Sequence, residues 1–245
     1  MKIELFLLPG MAREERLKGK TVVLIDVLRA STTICRALHS GARAVIPVEE
    51  PGEATDMREK IGPENVLLAG ERHGIRIENF NLGNSPQEFT PDAVKDKIII
   101  LTTSNGTRSY ARARQAKHVI TAGFVNASRV AEQVFKIGND TVILCAGSEG
   151  DFSLEDTLCG GMLIDKLKSM TDQTPEFNDA ASLALLHFTN NSHALGAAIA
   201  GGEHGRILAD IGFTSDVTKA SEVDSIPVLP VLREHRIILE SFEQN

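Results

Sequence analysis

Charged and hydroxyl side chains follow an apolar, strand-like run at three places in this chain. The three stretches are residues 21–33 (TVVLIDVLRASTT), 97–113 (KIIILTTSNGTRSYARA) and 140–158 (DTVILCAGSEGDFSLEDTL). In an open α/β sheet, ligands bind beyond the carboxyl ends of the strands, where the helices that follow present unpaired N–H groups to anions. The three turns are expected to converge if their strands share one sheet. The sequence therefore predicts one site for a phosphorylated small molecule and a divalent cation.

The first turn contributes a carboxylate, Asp26, and a guanidinium, Arg29. Asp26 could ligate a metal, attack phosphorus as a nucleophile, or simply cap the helix that follows. The hydroxyls of residues 31–33 lie nearer the expected helix start and could serve as caps, so chemistry is favoured for Asp26. Arg29 could form an ordinary surface ion pair, but its planar fork suits two-point contacts with phosphate or carboxylate. Ligand binding is therefore favoured for Arg29.

The second turn is built around Asn105 and Gly106, a common turn pair whose simplest explanation is a tight bend. Thr107 and Arg108 add a hydroxyl and a cation at the start of the next expected helix. We interpret the four residues as a phosphate-binding turn. The sequence contains no G-x-x-x-x-G-K-S/T loop, which disfavours nucleotide binding of that kind.

The third turn is rich in carboxylates. Ser153 followed three residues later by Asp156 resembles a capping box, which accounts for Asp156 without a ligand but not for Glu155. Mg²⁺ typically takes one or two protein carboxylates, with waters and substrate phosphate completing its coordination. Asp26 together with Glu155 or Asp156 would supply them.

Two further stretches hold candidates of lower specificity. Glu71 and Arg72 follow a strand expected at residues 65–69, and a local ion pair is the simple alternative for them. Asn84 and Ser85 lie in a turn-rich segment and offer neutral hydrogen-bonding groups to phosphate or carboxylate oxygens. We count Glu71 as a possible metal ligand and the other three as possible substrate-binding residues.

Composition limits the classes of partner. The 245 residues carry a net charge of −7 and are 42% hydrophobic, which favours a folded domain and disfavours a nucleic-acid or anionic-membrane partner. The N-terminal residues resemble neither a signal peptide nor a membrane span.

Three cysteines without metal-type spacing indicate buried thiols in a reducing cytoplasm. His187, His193 and His204 lack the i, i+4 spacing of a helical zinc site, and we interpret them as structural or surface residues.

Strand-like and helix-like segments alternate along the first two thirds of the chain. Strands are expected at residues 2–8, 21–28, 44–49, 65–69, 97–102, 118–121 and 141–145, and helices at 30–40, 51–61, 107–116 and 126–137. After Ser153 the pattern is helical and rich in Ala and Leu, and the run at 225–232 is expected to form an edge strand because its prolines cannot donate to a ladder. The predicted fold is a layered α/β/α domain over residues 1–245, or two intimately packed halves, with a mostly parallel or mixed sheet and a helix-rich C-terminal third.

Seven ordered blocks of the chain resemble one protein family. The blocks are IDVLRAST, LLAGER, FNLGNSP, LTTSNGTR, FVNAS, CAGSEGDFSLED and HGRILADIGFTSDV. Together they resemble the 2-phosphosulfolactate phosphatase (ComB) family of coenzyme M biosynthesis, from about Ile3 to about Val231. The resemblance implies a Mg²⁺-dependent phosphohydrolase that converts 2-phospho-3-sulfolactate to 3-sulfolactate and phosphate, on an α/β fold of its own.

The matching blocks contain the candidates named above. We expect Mg²⁺ to be held by Asp26 and a carboxylate near Glu155, because phosphoryl transfer depends mainly on positioning and charge neutralisation. Arg29 and Arg108 are expected to bind the phosphate oxygens. Arg72 would take the carboxylate or sulfonate, and either water or Asp26 would attack phosphorus.

Two alternatives remain at this point. A haloacid-dehalogenase-type phosphatase also begins with a strand that ends in a nucleophilic Asp, but that type has a second Asp two residues on, where this chain has Leu28. A non-catalytic protein that binds a phosphorylated metabolite could use the same arginines and amides. A homodimer is expected from the frequency of dimers among soluble enzymes.

Overall fold

The computed structural model describes residues 1–173 and 175–240. Its strands are β1 (Lys2–Phe6), β2 (Thr21–Ile25), β3 (Ala44–Pro47), β4 (Val66–Arg72), β5 (Ile75–Arg76), β6 (Ile98–Thr102), β7 (His118–Ala122), β8 (Thr141–Cys145), β9 (Glu176–Phe177), β10 (Pro230–Arg233) and β11 (Arg236–Leu239). They form one mixed sheet in the order β5-β4-β6-β3-β11-β10-β7-β2-β8-β1-β9.

Two groups of parallel strands make up most of the sheet. β4, β6 and β3 form one group, and β7, β2, β8, β1 and β9 form the other. The antiparallel hairpin β10–β11 lies between them, with Val231 opposite Ile120 of β7 and Ile237 opposite Val45 of β3. The mixed sheet predicted from the sequence is confirmed.

The edge position predicted for residues 225–232 is wrong, because β10 is an interior strand. Pro230 is tolerated there as the first residue of the strand, where a missing N–H disturbs the ladder least. β11 and the two-residue β9 were not expected, since each is too short to show a period of its own.

Helices cover both faces of the sheet. They are α1 (Glu14–Leu17), α2 (Ala30–His39), α3 (Pro51–Ile61), α4 (Pro91–Val94), α5 (Gly106–Arg112), α6 (Ala127–Ile137), α7 (Leu154–Ser169), α8 (Asp179–Asn191), α9 (Leu195–Gly201), α10 (Glu203–Asp210) and α11 (Thr214–Ala220). The helix-rich C-terminal third is confirmed by α7–α11. No helix in the described ranges is long and apolar enough to cross a membrane. The homodimer and the cytoplasmic location stay predictions.

The central strand β2 shows why the fold is layered. All five of its residues are buried, and its side chains alternate between two cores. Val23 and Ile25 belong to the core under α6–α11, whereas Val22 and Leu24 belong to the core under α2, α4 and α5. A strand covered on both faces is apolar throughout, which is what the TVVLI run indicates. The α/β/α layering is therefore confirmed.

Candidate active site

A cavity of about 220 Å³ lies at the carboxyl ends of β2, β4, β6 and β8. Its lining comes from the segments after these strands and from α10, namely Asp26, Leu28, Arg29, Glu71, His73, Gly74, Asn84, Thr103, Ser104, Asn105, Ser148, Glu149, His204, Ile207 and Leu208. We call this cavity the Asp26 pocket. The three turns singled out in the sequence thus converge at one edge of the sheet, as a shared sheet requires.

Asp26 both caps a helix and faces the pocket. Its Oδ1 accepts the N–H of Ala30 at 3.1 Å, at the first residue of α2. No described residue donates a hydrogen bond to Oδ2, and a Cβ placed on Gly106 would lie only 2.5 Å from that oxygen. One carboxylate oxygen is therefore structural, and the other is left for a ligand.

The expectation that the hydroxyls of residues 31–33 cap α2 is wrong. All three residues lie inside the helix rather than before it. Ser31 Oγ accepts the N–H of Asp26 at 3.0 Å, Thr32 donates to the carbonyl of Val27, and Thr33 donates to that of Asn84. These bonds hold the turn after β2 against its own helix and against the segment that carries Asn84.

Buried carboxylates share this pocket with a histidine. The pKa of Asp26 is raised from 3.8 to about 6, chiefly by burial, and the negative charges of Glu71 and Glu155 contribute in the same direction. The charge of His204 and the hydrogen bond from Ala30 act in the opposite direction. A bound cation would relieve this repulsion between like charges.

Glu155 and His204 form a pair beside Asp26. Glu155 Oε1 lies 2.9 Å from His204 Nδ1, and the side chains are 2% and 18% exposed. Glu155 Oε2 is buried and has no hydrogen-bond partner among the described residues. Burial alone would lower the pKa of His204, but the hydrogen bond and charge of Glu155, with the charge of Asp26, raise it overall.

The sequence interpretation of His204 as structural or surface missed its place in the pocket. A lone histidine in GGEHGR shows no metal spacing, so its type and neighbours carried no signal. One signal was present, since HGRILADIGFTSDV, the last of the seven resembling blocks, begins with His204.

Glu71 joins two segments at the pocket wall. Its Oε1 accepts the N–H of Ser104 at 2.8 Å, and its Oε2 accepts the N–H of Gly74 at 2.7 Å. The expected alternative, a local ion pair with Arg72, is wrong. The Arg72 guanidinium instead donates to the backbone carbonyls of Glu71 and Glu49 and to the hydroxyl of Thr102.

Asp156 ties together the turns after β2 and β8. Its Oδ1 accepts the N–H of Val27 at 2.8 Å and its Oδ2 accepts the N–H of Gly147 at 3.1 Å. Burial, together with the charges of Glu155 and Asp26, holds the pKa of Asp156 well above its usual range. The capping box expected from Ser153 is wrong, because the Ser153 side chain makes no cap hydrogen bond.

Arg29 is fixed on three sides. It donates to Asp216 Oδ2 and to the carbonyl of Gly74, both at 2.8 Å, and its guanidinium lies 4.1 Å from the centre of the Phe213 ring. Asp216 is fully buried on α11 and was not among the sequence candidates. It also accepts from Ser85 Oγ at 2.7 Å, so that hydroxyl faces Asp216 rather than a ligand. Arg29 is thus a buried, pre-oriented cation in the pocket wall.

The remaining candidates divide between this pocket and its surroundings. Asn84 lines the pocket with a buried side-chain oxygen that has no partner. Asn105 also lines it, and its side-chain oxygen accepts the N–H of Glu149 at 3.2 Å. The Thr107 hydroxyl donates to the backbone carbonyl of Thr103, in the turn before α5. Arg108 is exposed and lines two adjoining cavities instead of the Asp26 pocket.

Within residues 1–173 and 175–240, no group of three or more His, Cys, Asp or Glu side chains is assembled as a metal site. Among the candidate carboxylates, Asp26 and Glu155 are the best suited to bind a metal ion. Each has one oxygen without a hydrogen bond from any described residue, whereas both oxygens of Glu71 and of Asp156 accept backbone N–H groups.

The comparison with protein families places this chain in a phosphatase class. A family model described as 2-phosphosulpholactate phosphatase matches residues 6–235. The chain belongs to that family, which confirms the resemblance stated above, and it is a phosphoric monoester hydrolase.

Relatives match over nearly their whole length. A probable 2-phosphosulfolactate phosphatase of Caldanaerobacter subterraneus is 41% identical over 218 residues, 89% of this chain and 89% of the relative. Proteins with the same description from Clostridium novyi and Symbiobacterium thermophilum are 35% and 36% identical, over 94% and 92% of this chain and 96% of each relative.

Proposed function

We propose that this protein hydrolyses 2-phospho-3-sulfolactate to 3-sulfolactate and phosphate, with Mg²⁺ as its cofactor. The observation that carries the proposal is that Asp26, whose Oδ2 accepts no hydrogen bond from a described residue, lines a small pocket at the carboxyl end of the central strand. Family membership and the names of the relatives support the substrate.

The donor set fits a hard divalent cation. Asp26 and Glu155 each offer a carboxylate oxygen without a hydrogen bond from a described residue, and Mg²⁺ typically takes one or two protein carboxylates. Their mutual repulsion, which helps to raise the pKa of Asp26, is the cost that a bound cation would remove. When bound, Mg²⁺ would supply charge neutralisation to the phosphate.

The chain's own residues account for binding and proton transfer. Arg29, held by Asp216 and Gly74, presents a fixed positive charge to the phosphate, and Asn84 adds a hydrogen-bonding group. Attack on phosphorus comes from water, whose proton passes to Asp26, or from Asp26 itself, in which case water then hydrolyses the phosphoaspartate. In either route the bond between phosphorus and the C2 oxygen of the substrate breaks. His204, oriented through Nδ1 by Glu155, gives a proton to that leaving oxygen.

The haloacid-dehalogenase-type alternative lacks support in the pocket. The residue two positions after Asp26 is the buried Leu28, so the second Asp of that type is missing there. The non-catalytic alternative makes a different prediction, namely tight binding of the phosphorylated acid without turnover.

The test is phosphate release from 2-phospho-3-sulfolactate by the purified protein, with Mg²⁺ and with EDTA. We expect release with Mg²⁺, loss in EDTA, and loss in Asp26→Asn by at least about 100-fold. The matched control is Asp179→Asn, which changes an exposed carboxylate at the first residue of α8 and should retain activity. Binding without phosphate release in the wild-type protein would overturn the proposal. Phosphate release from other phosphorylated hydroxy acids, but not from 2-phospho-3-sulfolactate, would support the phosphatase activity and overturn the proposed substrate.

A further inference from the structure

A second cavity adjoins the Asp26 pocket on the other side of the turn after β6. It has a volume of about 500 Å³, and Ser104 and Asn105 line both spaces. Two arginines of α5, Arg108 and Arg112, line only the second of these two. We call it the arginine cavity. The segment after β8 also lines both spaces, with Ser148 and Glu149 at the Asp26 pocket and Ala146 and Gly150 at the arginine cavity.

The two arginines lack ionic partners in the described part of the chain. Arg108 is exposed and makes no hydrogen bond or ion pair there. Arg112 is half-buried, and its one hydrogen bond is a long contact of 3.5 Å with the carbonyl of Ala12. Like charges four residues apart on a helix destabilise it. An anion bound between the two side chains would therefore be stabilised by both charges and would remove their repulsion.

The charges divide between the two spaces. Asp26, Glu71 and Glu149 line the Asp26 pocket, where Arg29 is already paired with Asp216. The arginine cavity has two arginines against a single acidic side chain, the exposed Glu49. A substrate with more than one acidic group would be drawn to place its second group on the arginine side. Leu8, Pro9 and Met11 supply an apolar wall there for its carbon chain.

We propose that Arg108 and Arg112 bind a second oxyanion of the substrate, its sulfonate or carboxylate, while the phosphate to be cleaved lies in the Asp26 pocket. The inference rests on the proposed function for the identity of the substrate. Planar guanidinium groups suit both oxyanions, because two parallel N–H donors match two oxygens. Under this proposal Arg108 is a specificity residue rather than a ligand of the transferred phosphate.

The kinetic test compares three phosphate esters. They are 2-phospho-3-sulfolactate, 2-phospholactate, which lacks the sulfonate, and 1-sulfopropan-2-yl phosphate, which lacks the carboxylate. In Arg112→Gln and Arg108→Gln we expect kcat/KM for the full substrate to fall about 10- to 100-fold relative to one truncated ester, mainly through KM. The ester whose kcat/KM falls least identifies the group that the arginines bind.

The matched control is Arg114→Gln, an exposed arginine two residues beyond α5 that lines neither space. Equal losses for all three esters, or the same change in Arg114→Gln, would overturn the inference and leave the proposed function intact.

A binding measurement distinguishes failure of this inference from failure of the proposed function. Calorimetry with 3-sulfolactate, which carries both oxyanions and no phosphate, should show affinity in the wild-type protein and a loss of about tenfold or more in Arg112→Gln. A wild-type protein that binds 3-sulfolactate through these arginines without cleaving the ester would overturn the proposed function alone. A wild-type protein that cleaves the ester while the variants bind 3-sulfolactate unchanged would overturn the inference alone.

Discussion

At the scale of single residues, Asp26 shows that a cap and a reactive group need not be alternatives. One oxygen accepts the N–H of Ala30 at the start of α2, while the other accepts no hydrogen bond from a described residue, and Asp26 lines the pocket. The cost is a carboxylate buried beside Glu71 and Glu155. Function and stability therefore oppose each other at this position.

Asp26→Asn is expected to stabilise the protein above pH 6 when no divalent metal is present. Because the pKa of Asp26 rises from 3.8 to about 6 on folding, the folded state holds the proton more tightly, and stability falls as pH rises through this window. A shift of that size corresponds to about 3 kcal/mol. Asn keeps the hydrogen bond to Ala30 and avoids the ionisation. Thermal unfolding in EDTA at pH 8 should show the gain, and at about pH 4 the two proteins should unfold alike.

The same variant has a second expected signature. Mg²⁺ should raise the unfolding temperature of the wild-type protein and leave Asp26→Asn nearly unchanged, because a ligand stabilises only the state that binds it. A wild-type protein more stable than the variant at pH 8 in EDTA would contradict the burial cost assigned to Asp26.

At the scale of elements, local signals predicted the parts of the site that follow strands. The helix expected at residues 51–61 matches α3 (Pro51–Ile61), and the strand expected at 141–145 matches β8. β4 extends to Arg72, beyond the end expected at residue 69. The last three residues, Gly70, Glu71 and Arg72, are small or polar and show no strand pattern, so nothing in the sequence indicated this extension. Local pattern therefore locates turns better than it locates the last residues of strands.

The residues that sequence reasoning missed come from the C-terminal helices. His204 on α10 lines the pocket, and Asp216 on α11 pairs with Arg29 behind the pocket wall; both are brought there by packing over a long sequence separation. Their helices are ordinary amphipathic segments, so nothing local indicates which face meets the pocket. Conversely, Arg29 was correctly placed at the pocket, but its buried partner was not foreseeable from neighbouring residues.

Gly106→Ala tests the contact between α5 and Asp26. An added Cβ would lie 2.5 Å from Asp26 Oδ2 and 2.9 Å from Ala30 Cβ, so the carboxylate or the start of α2 must move. A displacement of about 1 Å in a reacting group costs on the order of 100-fold, and we expect kcat/KM to fall by that factor. Steady-state hydrolysis of 2-phospho-3-sulfolactate measures it.

The matched control for this change is Gly52→Ala. Gly52 is the second residue of α3 and a Cβ there meets nothing within 4 Å, so activity should be retained and stability should rise by up to about 1 kcal/mol. Equal activity in Gly106→Ala and Gly52→Ala would show that Asp26 tolerates displacement and would remove it from the reacting groups.

At the scale of the whole molecule, the site spans two parallel groups of strands. In one group Glu71 lies near the end of β4 and Ser104 follows β6, and in the other Asp26 and Glu155 follow β2 and β8. The groups are joined by the β10–β11 hairpin, which pairs with β3 and β7. The sequence predicted a mixed sheet but not this arrangement, because pairings such as that of Val45 with Ile237 leave no local pattern.

Ile237→Ala is expected to weaken the junction between the two groups. Ile237 is fully buried, lies opposite Val45 and packs in the core under α2, α4 and α5, so its truncation should cost about 2–5 kcal/mol of unfolding free energy. Leu239→Ala on the same strand is the matched control, because that side chain is 41% exposed and its loss should change stability by no more than about 0.5 kcal/mol. The chain has no Trp, so urea denaturation followed by circular dichroism is the suitable measurement. Equal losses of unfolding free energy in the two variants would mean that the buried contacts of Ile237 do not stabilise the junction. The helices alone would then hold the two groups of strands together around the pocket.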